Sequence, residues 1–123
     1  MKLTVILLAC ALVQAATEAK TLHGWLSDEA CARARASGGV FTGTNPECAK
    51  RCVEEGKKIV FIDPDSRRVL DISNQDAACG SIGDEVEVAG SVDSGTKVLH
   101  IDSLKLISRG VAECERPKSK KQR

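Results

Sequence analysis

Tyrosine is missing from this chain, and aromatic residues of any kind are scarce: one Trp and two Phe among 123 residues. Proteins that hold single-stranded nucleic acid lean on base stacking over aromatic faces, so that surface is excluded as the main device here. An excess of one charge is lacking too, with 18 Lys and Arg against 17 Asp and Glu. The near balance removes a simple polycation that binds phosphate chains by charge alone. Long apolar runs are also wanting, since the longest, Leu3 to Val13, falls short of the roughly 20 residues that cross a bilayer. The length accommodates one domain. Against these absences stand six cysteines, a density that asks for an oxidising compartment or a metal.

The start of the chain accounts for one of them. Met1-Lys2, the apolar run to Val13 and the small-residue site Val13-Gln14-Ala15 have the form of a secretory signal, residues 1–15. Cleavage is expected after Ala15, with Ala16 and Ala19 as neighbouring sites. Leu7-Leu8-Ala9-Cys10 offers a rival reading as a lipobox, with Cys10 lipidated. The short apolar stretch before Cys10 and its continuation through Ala11-Leu12-Val13 weigh against that. The expected location is therefore periplasmic or secreted, with anchoring through Cys10 as the alternative. At the other end, Arg116 to Arg123 holds five basic residues and no acid, which leaves Ala16 to Glu115 at net −5. Residues 110–123 are expected to form a disordered basic tail that can touch an anionic envelope surface.

Between these ends the periodicity is mostly that of strands. Thr21 to Leu26 alternates, and Ser27-Asp28-Glu29 is suited to cap a short helical turn carrying Cys31. Asn45-Pro46-Glu47 is a strong helix start, and the helix is expected over about 45–55, stopping at Gly56. Lys57 to Ile62 and Arg67 to Ser73 read as a hairpin around Asp63-Pro64-Asp65-Ser66. Glu85 to Val92 alternates valine with acid, turns at Asp93-Ser94-Gly95-Thr96, and returns as a long strand from Lys97 to Ile107. The alternation of that last strand shifts phase near Ser103, which predicts a bulge. Five strands with a final bent one suit a mainly β fold: a small OB-like barrel over 16–109 with one inserted α-helix.

Several strings carry a resemblance. Gly24-Trp25-Leu26-Ser27-Asp28 with Cys31, then Glu47-Cys48-Ala49-Lys50-Arg51-Cys52 with Gly56 and the strand to Asp63, resemble a family of small exported bacterial proteins of unknown function. Ile72-Ser73-Asn74-Gln75-Asp76 and Gly83-x-x-Val86-x-Val88-x-Gly90-x-Val92 extend the likeness over roughly Leu22 to Leu106. The resemblance implies an OB-like β-barrel and an exported protein, and it implies no activity. Cys79 and Cys114 stand outside it.

Removing the signal leaves Cys31, Cys48, Cys52, Cys79 and Cys114, an odd number. Cys48 and Cys52 lie one helical turn apart and pair poorly with each other. A disulfide from Cys31 to either is expected, with Cys79 to Cys114 as a second bridge. The alternative is a soft-metal or thiol-handling site in which Cys31, Cys48 and Cys52, with His23, hold Cu(I) or Zn(II). There is no Cys-x-x-Cys-His for haem attachment and no phosphate-binding glycine loop. His23 and His100 have no nucleophile at a recognisable spacing, and Asp63-x-Asp65 is better read as a turn than as a cation loop. No catalytic residue and no cofactor is expected. The expected function is that of a non-catalytic, monomeric binding module for a peptide, glycan or small ligand of the cell envelope, with no nucleic-acid role.

Overall fold

A computed structural model describes residues 17–110, so the expected signal, the basic tail, Cys10 and Cys114 lie outside the described residues. The described chain runs β1 (Thr17–Asp28), α1 (Glu29–Ser37), α2 (Pro46–Glu54), β2 (Ile59–Asp63) and β3 (Arg68–Ile72). A single 3-10 turn at Gln75–Ala77 follows, then β4 (Glu85–Asp93) and β5 (Val98–Ser108). The strands close into a barrel in the order β1-β2-β3-β5-β4. All neighbours are antiparallel except β3 and β5, which run parallel. The OB-like barrel expected from the alternation is the observed architecture.

The helical content needs a correction. One helix was expected and two are present, because the turn at Asp28 propagates. Asp28 caps α1 by accepting the backbone N–H of Cys31 at 2.9 Å, and the Ala- and Arg-rich residues that follow are good helix formers. The second helix lies where the Asn45-Pro46 signal put it, with the Asn45 side chain accepting from Glu47 and Cys48. Both helices are inserted between β1 and β2.

The insertion explains the unbroken apolar run of β2. Ile59 and Phe61 face the barrel interior with Leu26, Leu70, Val86, Val88 and Leu99. Val60 and Ile62 face outward into a second apolar cluster with Ala32 of α1, flanked by Trp25, Phe41 and Val69. A strand covered on both sides reads as continuous hydrophobicity rather than alternation. β1 is shared instead. Thr17 to Trp25 pair with β4, and Trp25 to Asp28 pair with β2. Gly24 sits at the crossover, where an added Cβ would strike the Ile62 carbonyl and the Phe61 ring.

The phase shift in β5 is a bulge. Ala89 faces Ser103 while Gly90 faces Ile101, which leaves Asp102 as the extra residue. Both hairpin turns share one design. The side chain of Asp63 accepts from Ser66 Oγ at 2.6 Å, and Asp93 accepts from Gly95 at 2.8 Å. Each turn then leaves through a left-handed residue, Arg67 or Lys97.

Barrel closure is thin between β3 and β5, where only Asp71–Val98 and Ile72–Leu99 are in register. The Asn74 side chain extends it, and that of Gln75 ties the start of β2 to the end of β3. Asn74 donates to the Ile101 carbonyl at 2.7 Å and accepts its N–H at 2.9 Å. Gln75 accepts the Ile59 N–H at 2.8 Å and donates to the carbonyls of Ile59 and Ile72, each at 2.9 Å. Each amide stands in for a strand residue. Removing one strands partly buried backbone groups, at about 1–3 kcal/mol apiece. Asn74→Ala and Gln75→Ala are each expected to lower unfolding stability by about 2 kcal/mol in urea titrations followed by Trp25 fluorescence. Asp76→Ala, at an exposed neighbour, is expected to change it by less than about 0.5 kcal/mol.

Candidate functional site

The end of β1, the first turn of α1 and the last turn of α2 converge at one end of the barrel. They bring together a carboxylate oxygen of Asp28 and the sulfurs of Cys31 and Cys52, all within 4.8 Å of one another. Asp28 is fully buried, while the two cysteines are half-buried. Ser27 Oγ stands 3.5 Å from Asp28 and makes a close hydroxyl contact with Thr44 Oγ1, so the loop before α2 is tied to the same spot.

A thiol in the first turn of a helix is ordinarily helped to ionise by the local dipoles. Cys31 does the opposite. Burial, and then the hydrogen bond and negative charge of Asp28, push its pKa from 9.0 up to about 12. Burial and the charge of Asp28 also raise Cys52. Both sulfurs are thiols at neutral pH, gathered around one buried carboxylate.

The expected trio is therefore only partly assembled. Cys31 and Cys52 meet, but Cys48 is exposed on α2, because the buried stripe of that helix runs through Pro46 and Ala49. His23 lies elsewhere, 3.6 Å from Glu85 on the β1–β4 surface. The disulfide expected from Cys31 to Cys48 or Cys52 needs correcting as well. Cys31, Cys48, Cys52 and Cys79 are all unbridged, since the sulfurs are not within the roughly 2.05 Å that a bond requires. Cys48 is exposed and does not join the cluster of Asp28, Cys31 and Cys52. The Cys79 thiol donates to the Asp76 carbonyl at 3.2 Å, and its expected partner, Cys114, lies outside the described residues. Sequence reading missed Asp28 as a member of this cluster by treating it only as a cap. The signal was present, because an N-cap carboxylate reaches the residue three positions on, which here is a cysteine.

A second feature occupies the β2–β3 side. A cleft of about 600 Å³ is lined by Glu29 and Arg33 of α1, Lys58, Asp71, Ser73 and Gln75. Arg33 Nη2 meets Asp71 Oδ1 at 2.7 Å across it. A shallower cleft of about 360 Å³ continues past Ser73 and Val98 to Ser91, Asp93, Thr96 and His100. The two share Ser73 and Val98, so they form one face from the β1–β2 insertion to the β4–β5 turn.

No protein family, curated protein or solved structure matches the chain. What the site does must therefore be argued from its own groups.

One constellation on the face invites a catalytic reading. Ser73 Oγ lies 3.1 Å from His100 Nδ1, and Asp102 Oδ1 lies 3.8 Å from His100 Nε2. The second distance exceeds hydrogen-bonding range, so nothing fixes the imidazole tautomer. All three side chains stand in water, where an unoriented base contributes little.

The thiol environment makes a prediction. With iodoacetamide at neutral pH, exposed Cys48 is expected to be alkylated well before Cys31, because the thiolate is the reacting form. Peptide mass analysis over time reads the order, and equal rates would remove the buried-thiol picture. Cys31 also ties stability to alkaline pH. Its folded pKa lies above the ordinary value, so its neutral form contributes stability that is complete below pH 9 and declines as pH rises toward 12. Cys31→Ser is expected to flatten that decline. Thiolate absorbance reports the titration free of tyrosinate, since the chain contains no tyrosine.

Proposed function

We infer that this chain is a non-catalytic binding module of the bacterial cell envelope, exported by residues 1–15 and folded as an OB-like barrel. The observation that carries the reading is the continuous face over β3, the start of β5 and the inserted α1, where charged groups stand beside the apolar Ile59, Ile72 and Val98. OB-like barrels use the β2–β3 face and the loops after β1 and β4 for their ligands. The first cleft lies on β2, β3 and the α1 insertion after β1, and the second runs from Ser73 over β4 and β5 to the turn after β4. The leader pattern and the resemblance to exported proteins support the location, and the basic tail suits contact with an anionic envelope surface.

The face also narrows the ligand. Arg33 and Lys58 stand beside Glu29 and Asp71, so both signs of charge are offered within one cleft. Such a lining suits a short zwitterionic ligand of peptide type, whose amino and carboxyl groups find partners at once. A glycan would need aromatic platforms, and none of the aromatic residues lines either cleft. A polyanionic strand would meet as many acids as bases.

Amide NMR of the full chain, titrated with triglycine and with longer mixed-charge peptides, tests the reading. Shift changes are expected at Arg33, Lys58, Asp71, Ser73 and His100. Arg33→Ala should weaken binding by about tenfold or more, the worth of one charge-assisted hydrogen bond. No response to any peptide, or tighter binding to oligo-thymidine than to peptide, would sink it.

A further inference from the structure

The geometry points to a zinc-class divalent cation site formed by Asp28, Cys31 and Cys52, apart from the ligand face. Two independent observations carry it. The first is the convergence of one carboxylate oxygen and two sulfurs, from three different segments, within 4.8 Å. The second is the condition of Asp28. Its side chain is fully buried, and among the described residues no Lys, Arg or His pairs with it. Its partners are all neutral: a backbone hydrogen bond from Cys31, a long one from Ser27, and the thiols of Cys31 and Cys52. A buried carboxylate without a cationic partner is costly, and a dication between it and the two sulfurs gives it one to coordinate, although the net charge of the site is unchanged.

The donor set selects among metals. Copper(I) favours sulfur donors alone, whereas zinc accepts thiolate and carboxylate together in a tetrahedral shell. Zinc–sulfur bonds of about 2.3 Å at tetrahedral angles place two sulfurs about 3.8 Å apart. The cluster needs to contract only slightly, by side-chain rotation of half-buried cysteines. The charges and protons balance. One Zn²⁺ displaces the two thiol protons to solvent and binds two thiolates and one carboxylate, so the site stays at net −1. No electron moves. Three protein donors leave the fourth position to water or an outside ligand. Orientation is already provided, because the Cys31 N–H and the Ser27 hydroxyl hold the carboxylate, as outer groups do around metal ligands. The cap thereby has a second role.

Cobalt(II), a spectroscopic stand-in for zinc, tests the site on the reduced full-length chain. One equivalent is expected to give tetrahedral ligand-field bands and a thiolate-to-cobalt charge-transfer band, and zinc should displace it. Cys31→Ser and Cys52→Ser should each weaken binding by roughly a hundredfold or more and halve the charge-transfer intensity. Cys48→Ser should leave both unchanged. Asp28→Asn keeps an equally good helix cap, so it should retain the fold by circular dichroism while losing about 10- to 100-fold in affinity. Octahedral cobalt spectra, a Cys48→Ser loss equal to that of Cys52→Ser, or unchanged affinity in Asp28→Asn would each overturn the assignment. So would a Cys31–Cys52 disulfide in the protein as isolated from its native compartment, seen as a mass lower by two hydrogens. The peptide titration on Arg33→Ala reads a different face, so the two readings can fail separately.

Discussion

Closure of the barrel between β3 and β5 is the constraint on which the rest of the molecule depends. Two register pairs are too few to hold a parallel seam; the Asn74 amide completes it, and the Gln75 amide beside it ties β2 to the end of β3. Both lie at the same rim where Ser73, Gln75 and Val98 line the cleft. A seam made of extended strand would have filled that space with backbone. Using side chains instead leaves a concave rim, so the device that closes the barrel also borders the cleft. Buried amides without their partners are expensive, which makes this rim intolerant of substitution.

At the opposite demand stands the Asp28 cluster. Local rules of helix formation place an acceptor at the cap and make the first turn welcoming to negative charge. Burying that acceptor beside two thiols satisfies the cap yet raises both thiols, so helix formation and thiol ionisation pull against each other. Conflicts between local rules and environment collect at functional places in folded proteins. The conflict here disappears when a dication joins the cluster. The inserted helices, which bring Cys31 and Cys52 together, owe their position to β2, whose outward residues Val60 and Ile62 give α1 an apolar floor.

Much of this fold was legible in the sequence. The two Asp-led turns, the Asn45-Pro46 helix start and the shift of phase near Ser103 each have a local cause, and each appears where its pattern put it. The extent of α1 was hidden. Its apolar face is made of alanines with arginines between, so no hydrophobic stripe announces it and only Ala32 is buried. The candidate sites were less legible because they depend on which segments meet. Cys48 and Cys52 look equivalent along the chain, and the rotation of α2 over Ala49 decides between them. Asn74 and Gln75 could be quoted as part of a pattern, but their purpose appears only when Ile101 and Ile59 arrive beside them.

The shared pairing of β1 also bears on how the chain acquires its structure. Thr17 to Trp25 find their antiparallel partners only in Glu85 to Asp93, near the far end of the folded segment. The β2–β3 and β4–β5 hairpins can form from neighbours alone, whereas β1 must wait for a long loop to close before any of these contacts reward it. During synthesis the first strand therefore emerges well ahead of the strand it needs. Folding of such a barrel is expected to be limited by that last docking step, and in the interval Leu22 stands without its β4 neighbour Val88. The Asp28 end of β1, paired with β2, is thus secured before the Thr17 end finds β4.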